Sequence, residues 1–292
     1  MAKCAIVFDS VSGIKDGDFP DTYILPIPII EDINGKFAEY YENVNITNEG
    51  IIDKLISGVT LKTSQTIPRE LFKLMDKLSD QYDQVFVFPN PPQISKQYEN
   101  VKMHCADYSN VHVFQHNTVG AFSLWMCQEF VKLNKSNKLT KESIEKYLAE
   151  NKDDVAGALI IPEVKYLTRS GRLTPIKGAV AQMLGYKIVI SYTDAGLQMF
   201  NKTRDTDKLA DIAYDVIKAT LKNFDQKKIT HFSLGINGYS NRHFNLVEIK
   251  KNVANKFNLP SKVKPYNLNL SSIITCHTGP NYVVLCVKAK KN

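Results

Sequence analysis

Short apolar runs that close on polar residues alternate with helical periodicity through the first half of this chain. Residues 4–8 (CAIVF) run into Asp9-Ser10, 85–88 (VFVF) into a proline-rich turn that reaches Ile94-Ser95-Lys96, and 111–114 (VHVF) into His116-Asn117-Thr118. Such runs predict strands, and the uninterrupted ones predict strands buried on both faces. Between them, Leu71, Phe72, Met75 and Leu78 share one face of a helix that opens at Pro68. Phe122, Trp125, Met126 and Phe130 do the same over 120–133, and Thr140 caps a helix that turns Ile144, Tyr147 and Leu148 inward. Residues 155–161 form a further strand. The alternation predicts an α/β fold of two domains, with a parallel, helix-covered sheet in residues 1–160 and a mixed α/β domain in 161–292. In open sheets of this kind, ligand crevices lie outside the carboxyl ends of the strands. Asp9 is therefore a crevice candidate; as the cap of the turn that follows it, it would serve structure alone.

Other segments are marked by turn chemistry. Residues 25–30 (LPIPII) are extended by their prolines, and Asn34-Gly35 predicts a hairpin turn with residues 36–41 returning. A short helix over 47–55 precedes the polar stretch Lys62-Thr63-Ser64-Gln65-Thr66, which reads as a loop at the N-terminus of the Pro68 helix. In the stretch 163–192, Gly171 can close a short helical turn sharply, leaving Arg172 projecting beside a helix that Thr174-Pro175 would open. A basic residue there suits an anion, and is equally compatible with a solvated surface. Strands are predicted over 187–191, 197–200, 230–236, 263–268 and 282–287, and helices over 209–221 and 245–257. His277-Thr278-Gly279-Pro280 reads as a loop before the last strand.

Composition narrows the classes. The chain has 292 residues, 43% hydrophobic and 23% charged, which is the composition of a water-soluble globular protein. No run approaches the roughly 18 apolar residues a membrane span needs, and the first residues, MAKCAIVFDS, lack the pattern of a signal peptide. The net charge of +7 comes from lysines scattered among acids, so a nucleic-acid face is not expected. Cys4, Cys105, Cys127, Cys276 and Cys286 form no C-x-x-C pair and sit mostly in apolar runs, which predicts reduced core thiols in a cytoplasmic protein. No phosphate loop, dinucleotide glycine motif or metal-ligand spacing occurs, so no cofactor and no metal are expected.

Several motifs in order resemble those of the DegV family of bacterial fatty-acid-binding proteins: Asp9-Ser10, Thr63-Ser64-Gln65, Ile94-Ser95, Gly171-Arg172-Leu173 and His277-Thr278-Gly279-Pro280. The chain departs from the family pattern at five places. Ser170 replaces the first glycine of the Gly-Gly-Arg turn. Thr66-Ile67 stands for Pro-Ser after Thr-Ser-Gln. Pro91 and Pro92 stand for two serines, Lys96 for a glycine after Ile94-Ser95, and Asn281 for the glycine after Pro280. The prolines put the placement of Ser95 in question. The resemblance implies a lipid cavity between the two domains and a fatty-acid carboxylate held by Thr63, Ser95 and His277. Ser64, Arg172, Arg204, Thr278 and Gly279 would be further head-group or partner contacts. It also implies a partner, a separate fatty acid kinase that phosphorylates the presented carboxylate, with no stable insertion of the carrier into a membrane.

The chemistry of that ligand is simple. Each buried methylene contributes about 0.8 kcal/mol, so a sixteen-carbon tail would gain roughly 10 kcal/mol before ordering costs. Phe122, Trp125, Met126, Ile160, Ile161, Met183, Leu184, Ile188 and Ile190 are tail candidates, and most of them would be core residues in any fold. A carboxylate taken from water needs donors, which hydroxyls and a histidine N–H supply. The competing reading is a lipid ester hydrolase or acyltransferase with Ser95 as nucleophile and His277 as base. Ser95 lacks the G-x-S-x-G elbow, and no acid is placed by sequence beside His277.

Overall fold

The computed structural model describes residues 2–171, 185–193, 196–267 and 270–290. They fall into two compact units. The first comprises 1–48, 60–152 and 271–273; the second comprises 49–59, 153–270 and 274–292.

The first unit is built on a parallel sheet of order β2-β1-β6-β7, with β1 at Cys4–Asp9, β2 at Thr22–Leu25, β6 at Gln84–Phe88 and β7 at Val111–Val113. Every residue of β1 is buried, which is why that stretch is unbroken by polar residues until Asp9. Side-chain alternation divides the strands between two cores. Cys4, Ile6, Phe8, Phe86 and Phe88 pack with Met126, Phe130 and Ile144 of α4 (Ala121–Lys135) and α5 (Lys141–Asn151). Ala5, Val7, Val85 and Val87 pack on the opposite face with Leu71, Met75, Leu78 and Val101 of α2 (Pro68–Gln81) and α3 (Gln97–His104). Phe88 centres the first core, with ring centroids 5.2 Å from Phe8, 5.4 Å from Phe114 and 4.9 Å from Phe130. The Thr140 hydroxyl caps α5, accepting from Ser143 N at 3.2 Å. A small antiparallel sheet of order β4-β3-β5 joins β3 (Ile29–Ile33), β4 (Lys36–Tyr40) and β5 (Leu61–Thr63). Its hairpin turns at Asn34 and Gly35 with φ of 54° and 82°, the left-handed pair a tight hairpin requires.

The second unit holds an antiparallel sheet of order β10-β9-β8-β12-β11, with β8 at Val155–Ile161, β9 at Lys187–Thr193, β10 at Gly196–Thr203, β11 at Ile229–Asn237 and β12 at Tyr282–Ala289. Ala156, Ala158 and Ile160 of β8 and Val283, Leu285 and Val287 of β12 face α7 (Leu209–Thr220) and α8 (Leu246–Asn255). Helix α1 (Asn48–Ile56) buries Ile51, Ile52 and Leu55, and α6 (Lys165–Ser170) ends on Gly171 at φ 71°.

Three segments differ from the sequence reading. Residues 263–267 form no strand; they make one isolated parallel bridge, Ser233 to Tyr266, and the last residue of the expected strand, Leu268, lies outside the described residues. The His-Thr-Gly-Pro segment is not wholly a loop, since α9 spans Ser272–Thr278 and carries His277 and Thr278 in its last turn. The polar stretch at 62–66 is a loop only from Ser64 onward, because Leu61–Thr63 is β5. The helix expected from Pro175 lies outside the described residues, as do Arg172, Met183 and Leu184.

Candidate ligand site at the carboxyl edge of the parallel sheet

β1 and β6 deliver polar groups to one edge. Asp9, 2% exposed, accepts from Val11 N at 3.1 Å through Oδ1 and from Asn90 N through Oδ2. It is thus both the cap of the following turn and the anchor of the chain leaving β6. Burial pushes its carboxyl up to about 7, against the two N–H donors that pull it down. His116, beyond β7, accepts at Nδ1 from Thr118 N at 3.1 Å. The neutral ring therefore carries its proton on Nε2. Burial lowers the ring to about 4, against the backbone of Phe88 and Pro89, which pulls it up, and Nε2 itself is buried without a hydrogen-bond partner among the described residues. Asp9, Ser12, Asn90, His116, Thr118 and Ser123 line one space too tight to hold a water.

Two loops flank this edge, one from β5 to α2 and one from β6 to α3. Thr63 ends β5, paired with Ile29 of β3. Ser64 N then donates to Pro28 O at 3.1 Å, and Thr66 Oγ1 to Pro26 O at 2.8 Å. The chain between those carbonyls is itself held, since Ile27 N donates to Ser10 Oγ at 3.1 Å. In the second loop, Ile94 N and Ser95 N both donate to Pro91 O, at 3.2 and 3.3 Å. The proline therefore sits at the head of a closed turn that places Ser95 one residue before Lys96, the N-cap of α3. Gln97 N donates to Ser95 Oγ at 3.0 Å. This bond occupies an acceptor site of the hydroxyl and leaves its O–H to donate, the polarity an anionic ligand requires.

The loops are joined to one another. Thr66 N donates to Gln97 Oε1 at 3.0 Å, Gln97 Nε2 donates to Thr66 Oγ1 at 2.6 Å, and Asn100 Nδ2 donates to Thr66 O at 3.1 Å. Thr66 is 1% exposed and Gln97 fully buried. The loops carrying Thr63 and Ser95 are thus joined by Thr66, which the sequence marks only as part of a polar loop and a departure from the motif, and by Gln97 and Asn100, which it does not single out. Gln97 opens a helix with little amphipathic pattern, so the sequence carried no signal for it beyond the departure at Thr66.

The remaining candidates belong to the second unit. His277 is partly buried in the last turn of α9, and Thr278 Oγ1 donates back to Ile274 O at 3.0 Å, a structural bond. Gly279 has φ of 90°, and a Cβ there would lie 2.4 Å from Tyr166 Cδ2. Asn281 is not left-handed; its Oδ1 accepts from Tyr239 N at 2.9 Å, so it holds the turn through its side chain. Arg204 is exposed, its guanidinium 4.6 Å from the Tyr186 ring centroid, with Lys202 Nζ 5.0 Å from the same ring. Among the described residues no cluster of His, Cys, Asp and Glu could hold a metal, and no helix is long and apolar enough to cross a membrane.

A family profile described as an uncharacterised protein of the DegV family matches residues 3–290. A DegV domain-containing protein of Mycoplasmopsis pulmonis is 25% identical over 99% of this chain and 96% of its own. One from Staphylococcus aureus is 24% identical over 99% of this chain and all of its own. Among solved structures, DegV of Bacillus subtilis, described as a fatty acid binding protein, superposes with a TM-score of 0.78 at 19% identity, covering 99% of this chain and 100% of that one. A stearic-acid-binding protein from Eubacterium ventriosum gives 0.78 at 21% identity, covering 99% of each chain.

Proposed function

The chain belongs to the DegV family, and from that membership we propose that it binds a long-chain fatty acid, burying the tail and holding the carboxylate with Thr63 and Ser95. The observation that carries this reading is the state of Ser95. Its oxygen takes the Gln97 N–H, which leaves its O–H to donate, and it stands in a loop beyond the carboxyl end of a parallel strand. Solved relatives of the same fold support it, since they are described as binding stearic, vaccenic and heptadecanoic acids. The resemblance adds His277 as a third donor, with Ser64, Arg172, Arg204, Thr278 and Gly279 as lesser contacts.

In this reading the chain is a cytoplasmic carrier rather than a catalyst. Its partner is a fatty acid kinase that takes the presented carboxylate as nucleophile and returns an acyl-phosphate. The five described cysteines are all free and buried, as a reducing compartment allows. Native mass spectrometry of the protein purified from a bacterial host tests the first step. A co-purifying mass of a long-chain acid supports the reading, and a protein that neither carries such an acid nor binds added palmitate overturns it. Adding a bacterial fatty acid kinase and ATP to the loaded protein tests the second, with acyl-phosphate trapped by hydroxylamine as the readout.

A further inference from the structure

Thr66 stands where the motif it resembles has proline. Proline has neither an amide hydrogen nor a hydroxyl, so it could make neither of the bonds that Thr66 exchanges with Gln97. We propose that Thr66 and Gln97 are a positioning pair that fixes the two donor loops against each other and so sets the affinity for a carboxylate head group. The inference rests on the fatty-acid reading above.

Three features support the role. First, the pair is closed. The Gln97 amide uses both its oxygen and its nitrogen on one residue, while Thr66 Oγ1 accepts from Gln97 and donates to Pro26 O. Both residues are buried, and neither titrates. Second, the threonine hydroxyl is not doing the local task its position suggests. It stands one residue before Ile67, the N-cap of α2, and that cap makes no side-chain bond. A threonine at a helix entry ordinarily bonds the first turn; this one reaches instead across to α3 and to the 26–28 segment. Third, the clamp lies two residues from Ser95 and three from Thr63. The same Gln97 whose side chain grips Thr66 donates its backbone N–H to Ser95 Oγ. Displacing Gln97 therefore loosens the loop junction and unsets the hydroxyl together.

A residue that acts only on overall stability would weaken every ligand alike, whereas a positioning residue weakens the head group selectively. Palmitate and hexadecanol share a tail and differ in the carboxylate. We expect Gln97→Leu to weaken palmitate by about tenfold, the effect of one misplaced bond to a charged group, with hexadecanol little changed. Thr66→Val should behave in the same direction and Thr66→Ser should retain parental affinity, because serine restores both the N–H and the hydroxyl. In a Ser95→Ala background, Gln97→Leu should cost much less than it does in the parent, since the hydroxyl it orients is gone. Thermal unfolding of each variant reports stability separately. The pair is refuted if Gln97→Leu binds palmitate like the parent, or if palmitate and hexadecanol weaken in step. A parent that binds neither ligand refutes the fatty-acid reading itself, and the assigned role with it.

Discussion

Asp9 and His116 line one space too tight to hold a water and are shifted in opposite directions, so their pH dependences must be counted together. In the folded state Asp9 titrates at about 7 and His116 at about 4, against 3.8 and 6.5 for unperturbed groups. A carboxyl raised on folding contributes stability below its unfolded pKa and loses it as pH rises through the folded one. A histidine lowered on folding contributes stability above its unfolded pKa and loses it as pH falls through the folded one. Between about pH 4 and 6.5 the folded pair therefore holds one proton, on Asp9, and the unfolded pair also holds one, on the imidazole. The proton counts match, so the pair adds no slope to stability in that window. His116→Asn should unmask Asp9: unfolding free energy would then fall as pH rises from 4 to 6.5, by up to about 1.4 kcal/mol per pH unit. Urea titrations at three pH values decide it, and a variant profile parallel to the parent's refutes the pairing. At the same scale, Thr63→Ala and Ser95→Ala are each expected to weaken palmitate about ten- to a hundredfold with unchanged melting, by the typical worth of a hydrogen bond to a charged group. Equilibrium binding with the two single variants checks it, and parental affinity in both removes the head-group assignment.

Elements show where sequence is sufficient. β1 and β6 were legible because strands buried on both faces admit only apolar side chains, and α4 and α5 because one stripe of each faces a core. α3 was not, since only Gln97 and Val101 of its eight residues are buried. The end of α9, His277-Thr278, reads as loop in the sequence because a seven-residue helix closed by the following Gly279 carries too few turns for a period to register. Nothing within Val155–Ile161 says that it pairs antiparallel with β12 and β9, because its apolar run has the same form as that of β1. The site divides the same way. Hydroxyls at Thr63 and Ser95 were visible as motif residues, while the clamp between Thr66 and Gln97 is a contact across 31 positions that no local pattern encodes. The turn after α9 gives the element-scale prediction. Gly279 combines φ of 90° with a Tyr166 ring carbon 2.4 Å from where a Cβ would sit. Gly279→Ala should destabilise the second unit by about 1–3 kcal/mol through strain and overpacking together. Adding Tyr166→Ala should not restore parental stability, because trimming the ring leaves the backbone strain and removes a buried aromatic. An unchanged melting temperature in Gly279→Ala would show that the turn is not held as described.

For the molecule as a whole, the carrier reading and the hydrolase reading make different demands on the tail. A carrier draws its affinity from burying methylenes, each worth about 0.8 kcal/mol, so lengthening the acid by one carbon should tighten binding roughly fourfold until the tail outgrows its space. Saturated acids from twelve to eighteen carbons, titrated in turn, should therefore give a steep rise and then a plateau. The plateau's onset measures how long a tail the protein accepts. A hydrolase with Ser95 as nucleophile would instead release product in a burst from an activated acyl ester, and the burst would vanish in Ser95→Ala. That serine already gives its oxygen to the Gln97 N–H and precedes α3 on a turn closed by Pro91, with no nucleophile elbow behind it. We therefore expect the steep chain-length series and no burst. A flat series would remove tail burial as the source of affinity, and a Ser95-dependent burst would replace the carrier with an enzyme.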